Sequence, residues 1–389
     1  MAKAILNKGK EKRVEYGHPW IYRSDIASVE ADADPGGVVD VYGGNGKFLG
    51  RGFYNPKSQI SIRMLTYERE EIDYAFWHNR IKAAWEYRKK VADVNSCRVV
   101  FSESDFLPAL IVDKFSDILV LQISSLGTER YKEQIADILC DIIAPRGIYE
   151  RNDIPVRELE GLPQTKGFLR GNFDTDVEMT ENGVRFIVDV AEGQKTGYFL
   201  DQKENRAAIR PFVKNAKVLD CFCHTGSFSL HAGSYGAASV LGLDISGHAV
   251  EMAAQNAKRG GLEGICRFES ANVFDRLREY DDNGERFDTI ILDPPAFAKN
   301  RHAVESAIRG YKEINLRAMK ILSSGGFLIT CSCSQHIDPE LFMDIIYNAG
   351  IDSHRKIRLI EVRSQAKDHP VLLASPETEY LKCVILQVI

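Results

Sequence analysis

The sequence predicts an α/β protein: a doubly wound, mostly parallel sheet in the C-terminal half, preceded by a β-rich unit and a small central α/β module. Three observations lead there. From Lys217 onward, short apolar runs alternate with amphipathic helical patterns, which is how successive βα units read in a sequence. The first 67 or so residues instead carry short apolar runs separated by glycine-rich turns. A chain of 389 residues also exceeds a single core, since one domain takes roughly 150.

Composition narrows the class. Hydrophobic residues make up 44% and charged residues 27%, ordinary values for a soluble globular chain. No run approaches the ~18 apolar residues of a membrane span, so no membrane partner is expected. The start, Met1 to Lys8, has no apolar core of signal-peptide length. Eight cysteines lie scattered through the chain, which favours reduced thiols and a cytoplasmic protein over a disulfide framework. The net charge of −5 excludes a general polyanion binder. The first 13 residues nevertheless carry Lys3, Lys8, Lys10, Lys12 and Arg13 against Glu11, a local balance of +4. Such an edge suits selective RNA binding, in which phosphate contacts position the substrate. A solvated basic terminus explains the same charge equally well.

Residues 1–68 form the expected β-rich domain. Val38 to Tyr42, Lys47 to Tyr54 and Gln59 to Leu65 read as strands, with Gly43-Gly44-Asn45-Gly46 as a turn. Gly17-His18-Pro19-Trp20 brings aromatic bulk that favours the core over a base-stacking surface. The motif Gly-His-Pro-Trp followed by Gly-Lys-Phe-Leu-Gly-Arg-Gly resembles PUA-type RNA-binding domains. Residues 69–175 form the central module. Its helix is expected from Ile72 to Lys90, with Arg80, Lys82, Arg88, Lys89 and Lys90 making the outer side basic. Strands follow at Cys97 to Phe101, Ala109 to Asp113 and Ile118 to Ile123, then a helix over Glu129 to Ile143 and a strand at Gly147 to Arg151. Residues 176–389 form the third domain, opening with a hairpin turned at Asn182-Gly183 and a segment up to residue 200 that reads as a linker or a cofactor flap. Its strands are Val218–Phe222, Ser239–Leu243, Ile265–Glu269, Thr289–Leu292, Phe327–Thr330, Ile357–Val362 and Tyr380–Val388. No convincing helix separates the last two, so the final strand is expected to be antiparallel. Ser246 should cap a helix reaching Arg259, where Gly260-Gly261 stops it.

Ligands of open α/β sheets collect at the carboxyl edge of the strands. Asp220-Cys221-Phe222-Cys223-His224-Thr225-Gly226 leaves the first strand as a tight turn into a helix, and Asp244 closes the second. An acid at that separation suits ribose hydroxyls. With only Gly226 in the turn, the pyrophosphate-binding G-x-G-x-x-G is absent, so a nucleoside cofactor without pyrophosphate fits better: S-adenosylmethionine, with Asn272 near its adenine. Two further peaks close neighbouring strands, Asp293-Pro294-Pro295-Ala296-Phe297 and Cys331-Ser332-Cys333-Ser334. A zinc site is the competing use of Cys221, Cys223, His224, Cys331, Cys333 and His336. Cys-x-Cys departs from the usual structural zinc spacing, and no metal is expected.

Together with Gly-Gln-Lys-Thr-Gly-Tyr-Phe-Leu-Asp-Gln at 193–202, these motifs resemble the RlmI-type class I methyltransferases over nearly the whole length. That family makes 5-methylcytosine in large-subunit (23S) ribosomal RNA. The resemblance implies a Rossmann-like methyltransferase domain. Its donor site would be lined by Gln194, Lys195, Asp220, Phe222, Gly226, Asp244, Asn272 and Asp293. It also implies Cys333 as the nucleophile adding to cytosine C6, with Asp293 orienting the base near N3. Pro295-Ala296 stands where other RNA 5-methylcytosine enzymes carry Pro-Cys, so Cys333 would act without that second thiol. Because residues i and i+2 share a strand face, Cys331 falls either beside Cys333 or in the core. The rival readings are a base-nitrogen RNA methyltransferase of the guanine N7 type, which needs no cysteine, and a non-catalytic ribosome assembly factor. A homodimer is compatible with the sequence.

Overall fold

A computed structural model describes residues 1–298 and 300–389. It divides into two compact units. The first comprises Met1–Met179, Ile187–Leu200 and Lys367–Thr378; the second comprises Thr180–Phe186, Asp201–Ala366 and Glu379–Ile389.

The first unit holds two sheets. One has six strands, in the order Trp20–Tyr22, Ile60–Thr66, Phe48–Tyr54, Val38–Tyr42, Lys3–Leu6, Ile26–Val29. Strand Lys3–Leu6, hidden from sequence reading by its flanking lysines, sits inside this sheet and pairs both Ile26–Val29 and Val38–Tyr42. The other has five strands, in the order Thr165–Arg170, Gly147–Asn152, Ile118–Ile123, Leu110–Phe115, Ser96–Phe101. Trp77, Ile81, Ile135 and Leu139, from helices Tyr74–Val91 and Lys132–Ile143, pack into the same core as those strands. The first of these helices starts where Asp73 accepts the Phe76 N–H. Its outer side is less basic than expected: Arg88 is fully buried and donates to the Arg98 and Asp368 carbonyls and to Asp105. A guanidinium with that many acceptors belongs inside, and helical periodicity alone does not reveal the acceptors.

Strands Asp176–Glu181 and Val184–Asp189 form the hairpin. Asn182 and Gly183 have φ of 51° and 82°, the backbone a two-residue turn of this hand requires.

The second unit carries a seven-stranded sheet. Its strands are β1 (Lys217–Cys221), β2 (Ser239–Asp244), β3 (Cys266–Ser270), β4 (Phe287–Leu292), β5 (Leu322–Ser332), β6 (Ile357–Arg363) and β7 (Lys382–Val388). Its main helices are α1 (Ser227–Ser234), α2 (Gly247–Arg259), α3 (Val273–Asp282), α4 (Val304–Ile321) and α5 (Pro339–Ser353). The order is β3-β2-β1-β4-β5-β7-β6, parallel except for β7, which runs antiparallel to both neighbours. The strand order reverses at β1 and β4, so their carboxyl ends open the crevice where such sheets bind ligands. Ser246 accepts the Ala249 N–H and starts α2 as expected. Tyr311, Ile314 and Ala318 of α4 and Phe342 and Ile345 of α5 join the β4 and β5 side chains in one core.

Candidate active site

The loop leaving β1 is held in an unusual backbone shape. Phe222, His224 and Gly226 all have positive φ (64°, 49° and 84°). For a side chain as bulky as phenylalanine this is a strained conformation, costing about 1–3 kcal/mol, and such strain gathers at functional loops. Gly226 has a packing reason as well: an added Cβ would meet Ala253 Cβ at 3.0 Å and the Phe268 ring at 3.1 Å. The loop is stitched to β2 by the His224 N–H, which donates to Asp244 Oδ2 at 2.9 Å. The other Asp244 oxygen accepts the Ser246 N–H at 2.9 Å. Each oxygen keeps a lone pair for a hydroxyl ligand.

Asp220 lies beneath this loop. Its Oδ2 accepts the Ser229 hydroxyl at 2.6 Å, while its buried Oδ1 has no partner. Burial, with the charges of Asp293 and Asp244 nearby, pushes its carboxyl up to about 7. Buried polar atoms are nearly always paired, so an orphaned carboxylate oxygen at the strand edge fits a polar ligand group. Asn272 is exposed and caps α3 by accepting the Phe274 N–H at 2.9 Å, which leaves its amide nitrogen to donate. Ile245, directly after Asp244, is 76% exposed. An isoleucine so exposed beside Asp244 leaves a broad apolar face open at this edge. Sequence reading missed it, because one apolar residue after a strand carries no periodic signal.

Three half-buried rings gather at the same edge. Phe222 lies 6.3 Å from Phe297 and 6.5 Å from Phe274, and Phe274 and Phe297 are 5.9 Å apart. Asp293 follows β4. Its backbone N–H donates to the Cys221 carbonyl, and its Oδ1 accepts Gln202 Nε2 at 2.8 Å. Gln202 is in turn gripped by Asn205, whose amide donates to Gln202 Oε1 at 2.7 Å.

Cys333 comes just past the end of β5, half-buried, with Sγ 3.9 Å from the Pro294 carbonyl oxygen. The two catalytic candidates therefore sit on neighbouring loops. Tyr311 of α4 ties those loops together. Its hydroxyl bonds to Ser334 at 2.9 Å and receives the Ser332 hydroxyl at 3.1 Å, while Ser334 Oγ accepts the Ala298 N–H. Ser332 and Ser334 thus share the Tyr311 side. Cys331 resolves toward the core: it is fully buried, hydrogen-bonded to Cys383, and that bond with burial raises its thiol well above the usual range. It stays a neutral thiol. Cys221 and Cys223 are likewise raised well above the ordinary thiol value by burial. Among the described residues, no three His, Cys, Asp or Glu side chains converge as metal ligands.

Gln194 and Lys195 belong to the first unit, apart from the other donor-site candidates in chain grouping. The Gln194 carbonyl accepts the Gly197 N–H, Lys195 Nζ lies 4.5 Å over the Phe199 ring, and Thr196 donates to Asp113 at 2.5 Å.

A family model described as a PUA-like domain matches residues 4–67, and one described as an S-adenosylmethionine-dependent methyltransferase matches residues 164–367. The ribosomal RNA large subunit methyltransferase I of Vibrio vulnificus is 41% identical over 100% of both chains. That of Shewanella denitrificans is 39% identical over 98% of both. The chain belongs to this methyltransferase family. Among solved structures, a methyltransferase complexed with SAH superposes with a TM-score of 0.86 over 100% of both chains at 19% identity. One from Streptococcus mutans gives 0.83 over 100% of both chains at 18%. As a member of the family the chain uses S-adenosylmethionine. The orphaned Asp220 oxygen, the open lone pairs of Asp244 and the exposed Ile245 fit that cofactor.

Proposed function

We propose that the chain forms 5-methylcytosine in large-subunit (23S) ribosomal RNA through a covalent adduct between Cys333 and cytosine C6. The observation that carries this reading is the half-buried Cys333 thiol on the loop beside Asp293. A methyltransferase acting directly on a ring nitrogen needs no nucleophilic thiol there.

When bound, S-adenosylmethionine supplies a methyl group on a positively charged sulfur. Asp220, Asp244 and Asn272 hold the donor, with Phe222 and Gly226 shaping its surroundings. Cys333 attacks as the thiolate: an Sγ–C6 bond forms and electron density moves to C5, which would take the methyl group as the donor sulfur keeps the electron pair of the broken S–CH3 bond and leaves as the thioether. Removal of the C5 proton then lets the Sγ–C6 bond break and restores the ring. Asp293, held by Gln202, orients the base near N3 and stabilises charge as addition proceeds. Residues 1–68 position the RNA, residues 69–175 form the central module, and residues 176–389 carry the chemistry in a cytoplasmic enzyme.

Incubation with protein-free large-subunit RNA and labelled donor, followed by nucleoside mass spectrometry, tests this reading. The expected product is 5-methylcytosine, absent with Cys333→Ala and retained with Cys331→Ala. Full activity of Cys333→Ala would remove the covalent mechanism, and 7-methylguanine would establish direct transfer to nitrogen.

A further inference from the structure

Lys382 is a buried cation that the reaction above does not use. It lies on β7 opposite Ser332 in the antiparallel β5–β7 register, one residue from Cys333. Only 6% of it is exposed, and its Nζ donates to the Ser334 carbonyl at 2.7 Å and the Tyr380 carbonyl at 2.9 Å. An ammonium carries three N–H donors, so two carbonyls leave one unspent. Among the described residues, no carboxylate forms an ion pair with Lys382. Taking a charge out of water without an opposite charge is costly, so a buried lysine of this kind calls for an anion.

Lys382 lies across from Ser332 and grips the Ser334 carbonyl, so the residue between those two anchors, Cys333, supplies the candidate anion. Asp338 and Glu379 attract Lys382, but both are exposed, where water screens them, and Asp338 also caps α5 by accepting the Leu341 N–H. Cys333 precedes the residue whose carbonyl Lys382 binds, and as a thiolate it would also attract Lys382. From α4, the Tyr311 hydroxyl bonds the serines on either side of Cys333; burial raises it, and it is neutral at ordinary pH. Asp293, beyond β4, is a further charge at this edge, and its Oδ1 is bonded to Gln202.

We propose that Lys382 is the counter-charge of the Cys333 thiolate, a positioning residue that holds the sulfur ionised and fixes the backbone carrying it. The inference rests on the covalent reading of Cys333 above. The step is a single ionisation: the Sγ–H proton leaves to water, sulfur keeps the electron pair, and Lys382 remains an ammonium. Its bond to the Ser334 carbonyl anchors the peptide directly after Cys333. Burial lowers Lys382 to about 8, so it is still charged at pH 7 and loses that charge slightly above it.

Alkylation of the full chain by iodoacetamide, without RNA or donor, tests this from about pH 5.5 to 9.5 around the ordinary thiol value. Cys333 is followed by peptide mass spectrometry. Its reactivity should reach half-maximum at least about one pH unit below the ~8.5 of a free thiol. Lys382→Met should move that midpoint up by about one pH unit and slow alkylation at pH 7 about tenfold, while Lys382→Arg should restore it. In methylation, Lys382→Met should lower kcat with KM for RNA little changed. A wild-type midpoint at or above the free-thiol value overturns the proposal without any variant having to fold. A Lys382→Met profile superimposed on wild type overturns it as well, and if Cys333→Ala is then inactive, the covalent reading stands alone. A Cys333→Ala protein that still methylates removes the covalent reading and this role with it.

Discussion

Asp220 is a buried acid whose ionisation costs the folded chain stability. In the folded chain its carboxyl titrates at about 7, against an ordinary 3.8, because burial disfavours its charge. Between those pH values the folded state holds a proton that the unfolded state has released. Stability is therefore fully present below about 4 and falls as pH rises through about 7. Asp220→Asn keeps the shape and removes the titration. Melting of the ligand-free variant should lose that pH slope. Its gain at pH 8 should be a few kcal/mol, because each pH unit between the folded and unfolded values is worth about 1.4 kcal/mol. Donor affinity, read by calorimetry, should fall in the same variant. At the reacting edge, Asp293→Asn should lower turnover about 10²–10³-fold while the fold stays intact, the usual loss on removing one preorganised electrostatic group. Gln202→Leu, which frees the Asp293 oxygen it now holds, should give a smaller drop of the same kind. Equal turnover of Gln202→Leu and wild type would show that the bond does not orient Asp293.

At the scale of elements, the loop from β1 to α1 and the hairpin ahead of it are the points where a local change should propagate. Gly226→Ala must adopt φ near 84° and press a methyl within 3.0 Å of Ala253. The expected cost is about 1–3 kcal/mol, with weakened donor binding, measured by denaturant unfolding and calorimetry. In the hairpin, Glu181 is fully buried and pairs with Arg206, with Nε 2.6 Å from Oε1. His231, beside them, is lowered to about 4 by burial and stays neutral. Arg206→Met would leave the Glu181 charge without its guanidinium, and unfolding should become easier by about 3–5 kcal/mol. A change below about 1 kcal/mol would mean that Glu181 takes up a proton instead.

Across the whole molecule, charge is less free than its distribution along the chain implies. Two of the five early cations are engaged, Lys10 with Asp25 and Arg13 with Glu377. Lys3, Lys8 and Lys12 remain on the surface. If residues 1–68 position RNA, the pair Lys8→Ala and Lys12→Ala should flatten the salt dependence of RNA binding. The logarithmic slope should fall by about 0.7–0.9 for each phosphate that is no longer neutralised. The target nucleotide should be unchanged. An unaltered slope would move the RNA-binding surface away from this end.

Much of this molecule is written in local patterns. Apolar runs followed by helical periodicity are set by backbone hydrogen bonding and burial of one face, so β1 to β7 and α2 were legible from residue order alone. The Asn182-Gly183 turn was legible because positive φ selects those residue types. The placement of Asp220, Asp244, Asp293 and Cys333 at or just past strand ends was legible, because each lies at the end of a readable apolar run. The early start of β5 was not: Leu322 pairs with Phe287, and the extra residues before Phe327, including Gly325 with φ of 85°, are absorbed in an irregularity of the ladder. Nor were the partners that give the site its character. Lys382, Tyr311 and Gln202 come from β7, α4 and the segment ahead of β1, far from Cys333 and Asp293 in sequence. Cys331 and Cys333 look equivalent in the chain, two thiols separated by a serine. Residue order determined that a strand would deliver both to one edge, because side-chain alternation is local. Only the tertiary structure separated their surroundings: Cys331 meets Cys383 in the core, whereas Cys333 is half-buried near the Pro294 carbonyl, ahead of the peptide that Lys382 grips. The ionisation of a thiol depends on the charges and solvent that surround it, and those arrive from elsewhere in the chain.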